Sequence, residues 1–205
     1  MIEKFFDYLS EKLNAKIILG RDLESLEITE SAEGAKLKKI TFITKQKNIV
    51  LTLDVNNIKK IKADYKILGY LKDHTPSVDG IILVKSKEGE KYKLYILHIE
   101  LKSKDYSNSE VNKKFIYSKH CIEQIMKSYD TEMKLKENTC KNFVEELNVE
   151  HRFLLFSYIA NARKITGAPI EYAISMVDIA KHYNIRKCDI RVENNHTSRL
   201  KIYLK

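Results

Sequence analysis

The stretch from Thr75 to Lys104, TPSVDGIILVKSKEGEKYKLYILHIELKSK, constrains this chain more than any other. Two apolar runs, Ile81 to Val84 and Leu94 to Leu101, flank a short polar segment containing Glu88-Gly89, which is the pattern of a β-hairpin. A two-residue Glu88-Gly89 turn sets Lys87 opposite Glu90 and Asp79 opposite His98. Side chains alternate along a strand, so His98, Glu100 and Lys102 share one face. Asp79 joins that face, diagonal to Glu100 at roughly 7–8 Å. Four ionisable residues thus gather at the end of two otherwise apolar strands. Burying carboxylates is costly unless a cation or a partner compensates, and this makes the hairpin end the first candidate site.

The flanking sequence supplies the layers for such a hairpin. Ile2, Phe5, Phe6, Leu9 and Leu13 fall at helical spacing, so an amphipathic helix opens the chain. Arg21 to Lys39 is rich in glutamate (Glu24, Glu27, Glu30, Glu33) and reads as a surface excursion. Ile40, Phe42 and Ile43 form one strand-like run and Ile49 to Val55 another, with Lys45-Gln46-Lys47-Asn48 as the turn of a hairpin. Lys59 to Tyr70 reads equally as a strand or a short helix. After the central hairpin, Ser107 with Glu110 forms a capping box. Val111, Phe115, Ser118, Ile122, Ile125 and Met126 then form a helical stripe to about Tyr129, with Ser118 a polar interruption in it. Arg152 to Ala160, RFLLFSYIA, suits a strand buried on both faces, and the helix before it permits parallel pairing. Pro169 marks a helix start, followed by Ile170, Ala173, Ile174, Val177 and Ala180 at helical spacing. Asp189 to Val192 and Leu200 to Tyr203 read as short closing strands around Asn194-Asn195-His196-Thr197.

The expected class is therefore α/β: a sheet with helices packed on it, antiparallel early and mixed later, ending in a C-terminal helix and short strands. A chain of 205 residues without repeats or Pro/Gly-rich linkers suits one domain over 1–205, with a core at about 1–160 and an elaboration at about 161–205. The net charge of +9 favours polyanionic partners, though a lysine-rich solvated surface gives the same balance. Cys121, Cys140 and Cys188 are far apart and have no zinc-like spacing, so they read as reduced, mostly buried thiols. With no signal-peptide core and no long apolar run, the expectation is a cytoplasmic protein without a membrane partner.

Asp79, Glu100 and Lys102 form a D…ExK pattern on a hairpin, preceded by a helix and followed by a helix and a buried strand. This resembles the PD-(D/E)xK, or restriction-endonuclease-like, nuclease superfamily, over roughly Met1 to Ala160. Pro76 stands three residues before Asp79, so the family's Pro-Asp pair is absent. The resemblance implies a mixed-sheet core of helix, three antiparallel strands, helix and strand. It implies a metal-dependent nuclease that hydrolyses phosphodiester bonds, with DNA as substrate and RNA as the second choice. Asp79 and Glu100 would hold Mg2+ (or Mn2+), with the Leu101 carbonyl as a further ligand. Lys102 would orient the attacking water or place positive charge against the transition state. Family members often aim a Lys or Gln from the following helix at the site. Lys114 is best placed among Lys113, Lys114 and Gln124, and His98 faces the same side. Many nucleases of this fold act as dimers, so a homodimer or larger complex is a further expectation.

Taken singly, each residue has a plainer reading. Asp79 beside Gly80 starts a strand after a turn, and His98 is a hydrogen-bonded core histidine. Glu100 and Lys102 make a surface ion pair worth at most about 1 kcal/mol. The functional alternative of a different class is a non-catalytic nucleic-acid-binding or assembly subunit on the same fold.

Overall fold

The computed structural model describes residues 1–13, 17–30, 34–53, 77–103, 106–158, 172–180, 185–192 and 195–204. In chain order the elements are α1 (Ile2–Lys12), β1 (Ile18–Arg21), β2 (Ser25–Thr29), β3 (Lys39–Ile43), β4 (Asn48–Leu51), β5 (Gly80–Glu88) and β6 (Lys91–Lys102). They continue with α2 (Asn108–Glu137), a 3-10 turn (Glu145–Leu147), β7 (Val149–Tyr158), β8 (Tyr172–Ala180), β9 (Ile185–Val192), β10 (His196–Arg199) and a second 3-10 turn (Leu200–Leu204). The protein is α/β, with two mixed sheets and two α-helices among the described residues.

The central hairpin explains the layering. β6 alternates strictly: Leu94 and Ile96 join the core under α1 and α2, whereas Tyr95, Leu97, Ile99 and Leu101 join the core under the smaller sheet. Both faces are thus buried, which is why β5, β6 and β7 read as continuous apolar runs. The seven-stranded sheet runs β1-β4-β5-β6-β7-β9-β8 and the three-stranded one β10-β3-β2. β6 is antiparallel to β5 and parallel to β7, with α2 as the connection between β6 and β7. Each large apolar side chain fully removed from water in these two cores contributes roughly 1.5–3 kcal/mol.

The hairpin's register differs from the sequence expectation by two residues. Glu88 pairs with Lys91 and Ile81 with His98, so the turn is Gly89-Glu90 rather than Glu88-Gly89. Gly89 takes φ 59°, the left-handed conformation that glycine adopts without penalty, at the first turn position. A two-residue shift preserves which face every side chain occupies. It also brings Asp79 across from Glu100 when the Gly80–Ile99 pairing is continued by one residue.

Four other expectations are corrected. Arg21 to Lys39 is not a mere excursion: β2 lies within it, with Leu26 and Ile28 buried and Ser25, Glu27 and Thr29 exposed in strict alternation. β3 and β4 are not a hairpin with each other. β3 pairs with β2 in the small sheet and β4 with β1 in the large one, so the two hairpin arms bend together from one sheet into the other. The buried Asn48 makes that corner: its side-chain amide donates to Leu23 O and Gln46 O at 2.8 Å each, and its own carbonyl accepts from Asp22 N–H at 2.8 Å. The expected C-terminal helix over 170–180 is instead β8, antiparallel to β9. The segment's β-branched Ile174, Val177 and Ile179 fit a strand as readily as a helix, and the partner strand settles the choice. Finally, His196–Arg199 is a strand parallel to β3 where a turn was expected, and the chain ends in a 3-10 turn rather than a strand.

Pro169 and the Lys59 to Tyr70 stretch lie outside the described residues. Cys121 is buried, and burial pushes its thiol pKa up to about 12, whereas Cys140 is exposed. Among the described residues no helix is long and apolar enough to cross a membrane.

Candidate active site

The site lies where β5 begins and β6 ends. β6 places His98 and Glu100 on its helix-facing side, in line with Leu94 and Ile96, and Glu100 is fully buried. A surface ion pair is therefore the wrong description of Glu100 and Lys102. Glu100 Oε1 accepts from Lys102 Nζ at 2.9 Å and from Lys114 Nζ at 2.7 Å. Glu100 Oε2 is buried and has no hydrogen-bond partner among the described residues. A buried carboxylate oxygen without a partner loses its hydration without replacement, and such a group calls for an explanation.

Asp79 sits one residue before β5, next to a glycine against which Ile28 packs. A Cβ at Gly80 would stand 2.3 Å from Ile28 Cδ1, so the Ile28 side chain fills the space that any larger residue here would need. The Asp79 carboxylate accepts the Leu101 N–H at 2.6 Å. Burial and the nearby Glu100 charge push its pKa well above the usual carboxylate range, and the Leu101 bond only partly opposes them. What Leu101 contributes in this structure is its N–H, with its side chain buried on the opposite face. Lys102 is pulled both ways: burial disfavours its charge, but the charge and hydrogen bond of Glu100 prevail and raise its pKa.

Helix α2 supplies the opposite wall. Ser107 is its N-cap residue, but its side chain makes no capping hydrogen bond, so the expected capping box does not form. Glu110 turns instead toward Lys102, 3.5 Å away. The helix runs two turns past the expected end at Tyr129.

Asp79, Glu100, Lys102 and Lys114 therefore converge, whereas two other candidates do not belong with them. His98 is fully buried between Ser118 Oγ at 2.8 Å and His151 Nδ1 at 2.9 Å, so it is closed to a substrate. Burial holds its pKa well below the ordinary histidine range. Gln124 is exposed and stands ten residues beyond Lys114 on α2, about 15 Å along the axis. Sequence reasoning missed His151 and Ser103, and gave Glu110 only a capping role. Ser103 directly follows Lys102, and its hydroxyl accepts the Leu37 N–H at 2.7 Å, fastening the β2–β3 connection beside the site. Only Ser118 had left a signal, as the polar break in an apolar stripe.

Among the described residues no three His, Cys, Asp or Glu side chains gather closely enough to hold a metal ion. The acidic part of the site is the Asp79–Glu100 pair. A hard cation that keeps several waters can be held by one or two carboxylates together with a substrate phosphate. The unpartnered Glu100 Oε2 and the raised Asp79 pKa fit such a cation. Comparison with protein-family models, curated proteins and solved structures finds no match to this chain.

Proposed function

We propose that this chain is a metal-dependent nuclease of the restriction-endonuclease-like kind, hydrolysing phosphodiester bonds in DNA, or in RNA as the second choice, in a restriction, repair or defence setting. The observation that carries this reading is Glu100: a fully buried carboxylate with one oxygen shared by two lysines and the other unpartnered, beside a second carboxylate of raised pKa. The element order supports it too, since α1 precedes the antiparallel set β4, β5 and β6, and α2 leads into the parallel β7.

In this reading Asp79 and Glu100 hold Mg2+ or Mn2+. The bound cation supplies Lewis acidity, neutralising phosphate charge and acidifying water. Lys102 brings positive charge to the oxygens that gain negative charge as the phosphodiester is attacked, and its N–H groups orient the attacking water. Lys114 holds the Glu100 carboxylate in one orientation and offsets its charge. Counted as charged groups, Asp79, Glu100, Lys102 and Lys114 sum to a formal charge of zero before any cation binds, with the exposed Glu110 at the rim beside Lys102. The cation should therefore bind weakly alone and more tightly with a phosphodiester present. Calorimetric titration of Mn2+ with and without a non-hydrolysable phosphorothioate strand checks this, with an expected gain of about tenfold or more in affinity.

The same self-neutralised arrangement favours one alternative, a non-catalytic nucleic-acid-binding or assembly subunit in which Lys102 and Lys114 simply close an ion-pair cluster. The two readings separate on one experiment. Purified protein should cleave DNA in Mg2+ and stop in chelator, and Glu100→Ala should lower cleavage by on the order of 10²–10³-fold while retaining the fold by circular dichroism. Full cleavage by Glu100→Ala would overturn the nuclease reading.

A further inference from the structure

Helix α2 is tied to β6 by two side-chain bridges spaced like rungs. Lys114 Nζ meets Glu100 Oε1 at 2.7 Å, and one helical turn on, Ser118 Oγ meets His98 Nδ1 at 2.8 Å. Four helical residues advance about 6 Å and two strand residues about 6.6 Å, so both rungs close together without bending either element. A third contact extends the second rung onto β7, where His98 Nε2 meets His151 Nδ1 at 2.9 Å.

One arrangement of protons satisfies all three contacts. Ser118 donates its single hydroxyl proton to Phe115 O at 3.0 Å, so its oxygen accepts from His98 Nδ1–H. His98 Nε2 is then left to accept from His151 Nδ1–H. His98 is also stacked on Phe153, with ring centroids 4.8 Å apart and planes at 13°. Burying a hydroxyl and an imidazole here has a desolvation cost that an all-apolar seam would avoid. Apolar packing sets separation well but tolerates axial slippage, whereas a short bond between two fixed polar atoms does not.

We propose that Ser118 and His98 are positioning residues, which fix the register of α2 along β6 and so hold Lys114 on Glu100. They act through Lys114 and touch no substrate. The functional consequence rests on reading Glu100 as part of a nuclease site, but the placement of Lys114 does not.

The test is lysine labelling followed by mass spectrometry, combined with cleavage kinetics. Lys114 has a side chain only 19% exposed, while Lys113 beside it is exposed and serves as internal control. Ser118→Ala should raise Lys114 modification by about threefold or more relative to Lys113, and Ser118→Thr, which keeps the hydroxyl, should restore the slow rate. In cleavage, Ser118→Ala should lower kcat about tenfold with KM little changed, and should cost nothing further in a Lys114→Met background. Unchanged Lys114 labelling in Ser118→Ala, or effects of Ser118→Ala and Lys114→Met that multiply, would overturn the proposal. If the wild-type protein cleaves no nucleic acid, the nuclease reading falls, and the labelling result decides the positioning role alone.

Discussion

Strand β6 carries a polar cluster at each end, and the two differ in how they are closed. At its start, on the small-sheet face, Lys93 bridges Glu88 at 3.7 Å and Glu150 at 2.5 Å, Arg152 takes the other oxygen of Glu150, and the Tyr95 hydroxyl takes the other oxygen of Glu88. All four carboxylate oxygens there have partners, and the acids remain partly exposed. At its end, on the helix face, Glu100 is fully buried, both lysines crowd onto one oxygen, and the other has none. At the first end the acids are fully paired within the chain. At the second a buried acceptor stays open next to an acid whose burial disfavours ionisation, and the proposed function rests on that difference.

The sharpest way to break this comparison is to remove one acid from each end. Glu100→Ala should lower cleavage by on the order of 10²–10³-fold, while Glu150→Ala should leave it unchanged and alter stability by about 1 kcal/mol or less. Equal losses in a Mg2+-dependent cleavage assay would dissolve the distinction.

Asp79 sharpens it further. Its pKa is raised in the folded chain, so stability from this group is present below the unfolded carboxylate range and is lost as pH rises through the folded value. At neutral pH this group therefore destabilises the metal-free protein. Asp79→Asn should raise the neutral-pH unfolding free energy by about 1 kcal/mol while abolishing cleavage. A destabilised Asp79→Asn in urea titration would show that its bond to Leu101 N–H outweighs its desolvation.

A smaller effect concerns the clasp behind the site. Burial lowers the His151 pKa to about 4, with the Lys119 charge adding to it. The unfolded histidine binds its proton near pH 6.5, so the unfolded state holds more protons between about 6.5 and 4. Stability from this group is complete above that window and declines through it as pH falls, by on the order of 2 kcal/mol. Comparing urea midpoints of wild type and His151→Gln across that range isolates the contribution, which should vanish in the variant.

Much of the fold was legible because it rests on short-range pattern. Helix α1, the central hairpin, the start of α2 and the buried β7 follow from apolar spacing and turn residues. The bent double hairpin was not, because Leu26 and Ile28 alternate within a glutamate-rich stretch and their partners lie in another part of the chain. β8 was not, because its residues satisfy two periods and only β9 decides between them.

The candidate site divides in the same way. Alternation along β6 was enough to place His98, Glu100 and Lys102 on one face and Asp79 beside them, and the true turn position changed the register without changing the face. That is a consequence of the two-residue period of a strand, which any even shift respects. Tertiary structure alone decided that Glu100 is buried, that Lys114 reaches it, that Gln124 does not, and that His98 is sealed against Ser118 and His151. Those outcomes depend on the axial register of a helix against a strand. Packing and a few polar contacts between distant residues set that register, and no local spacing encodes it.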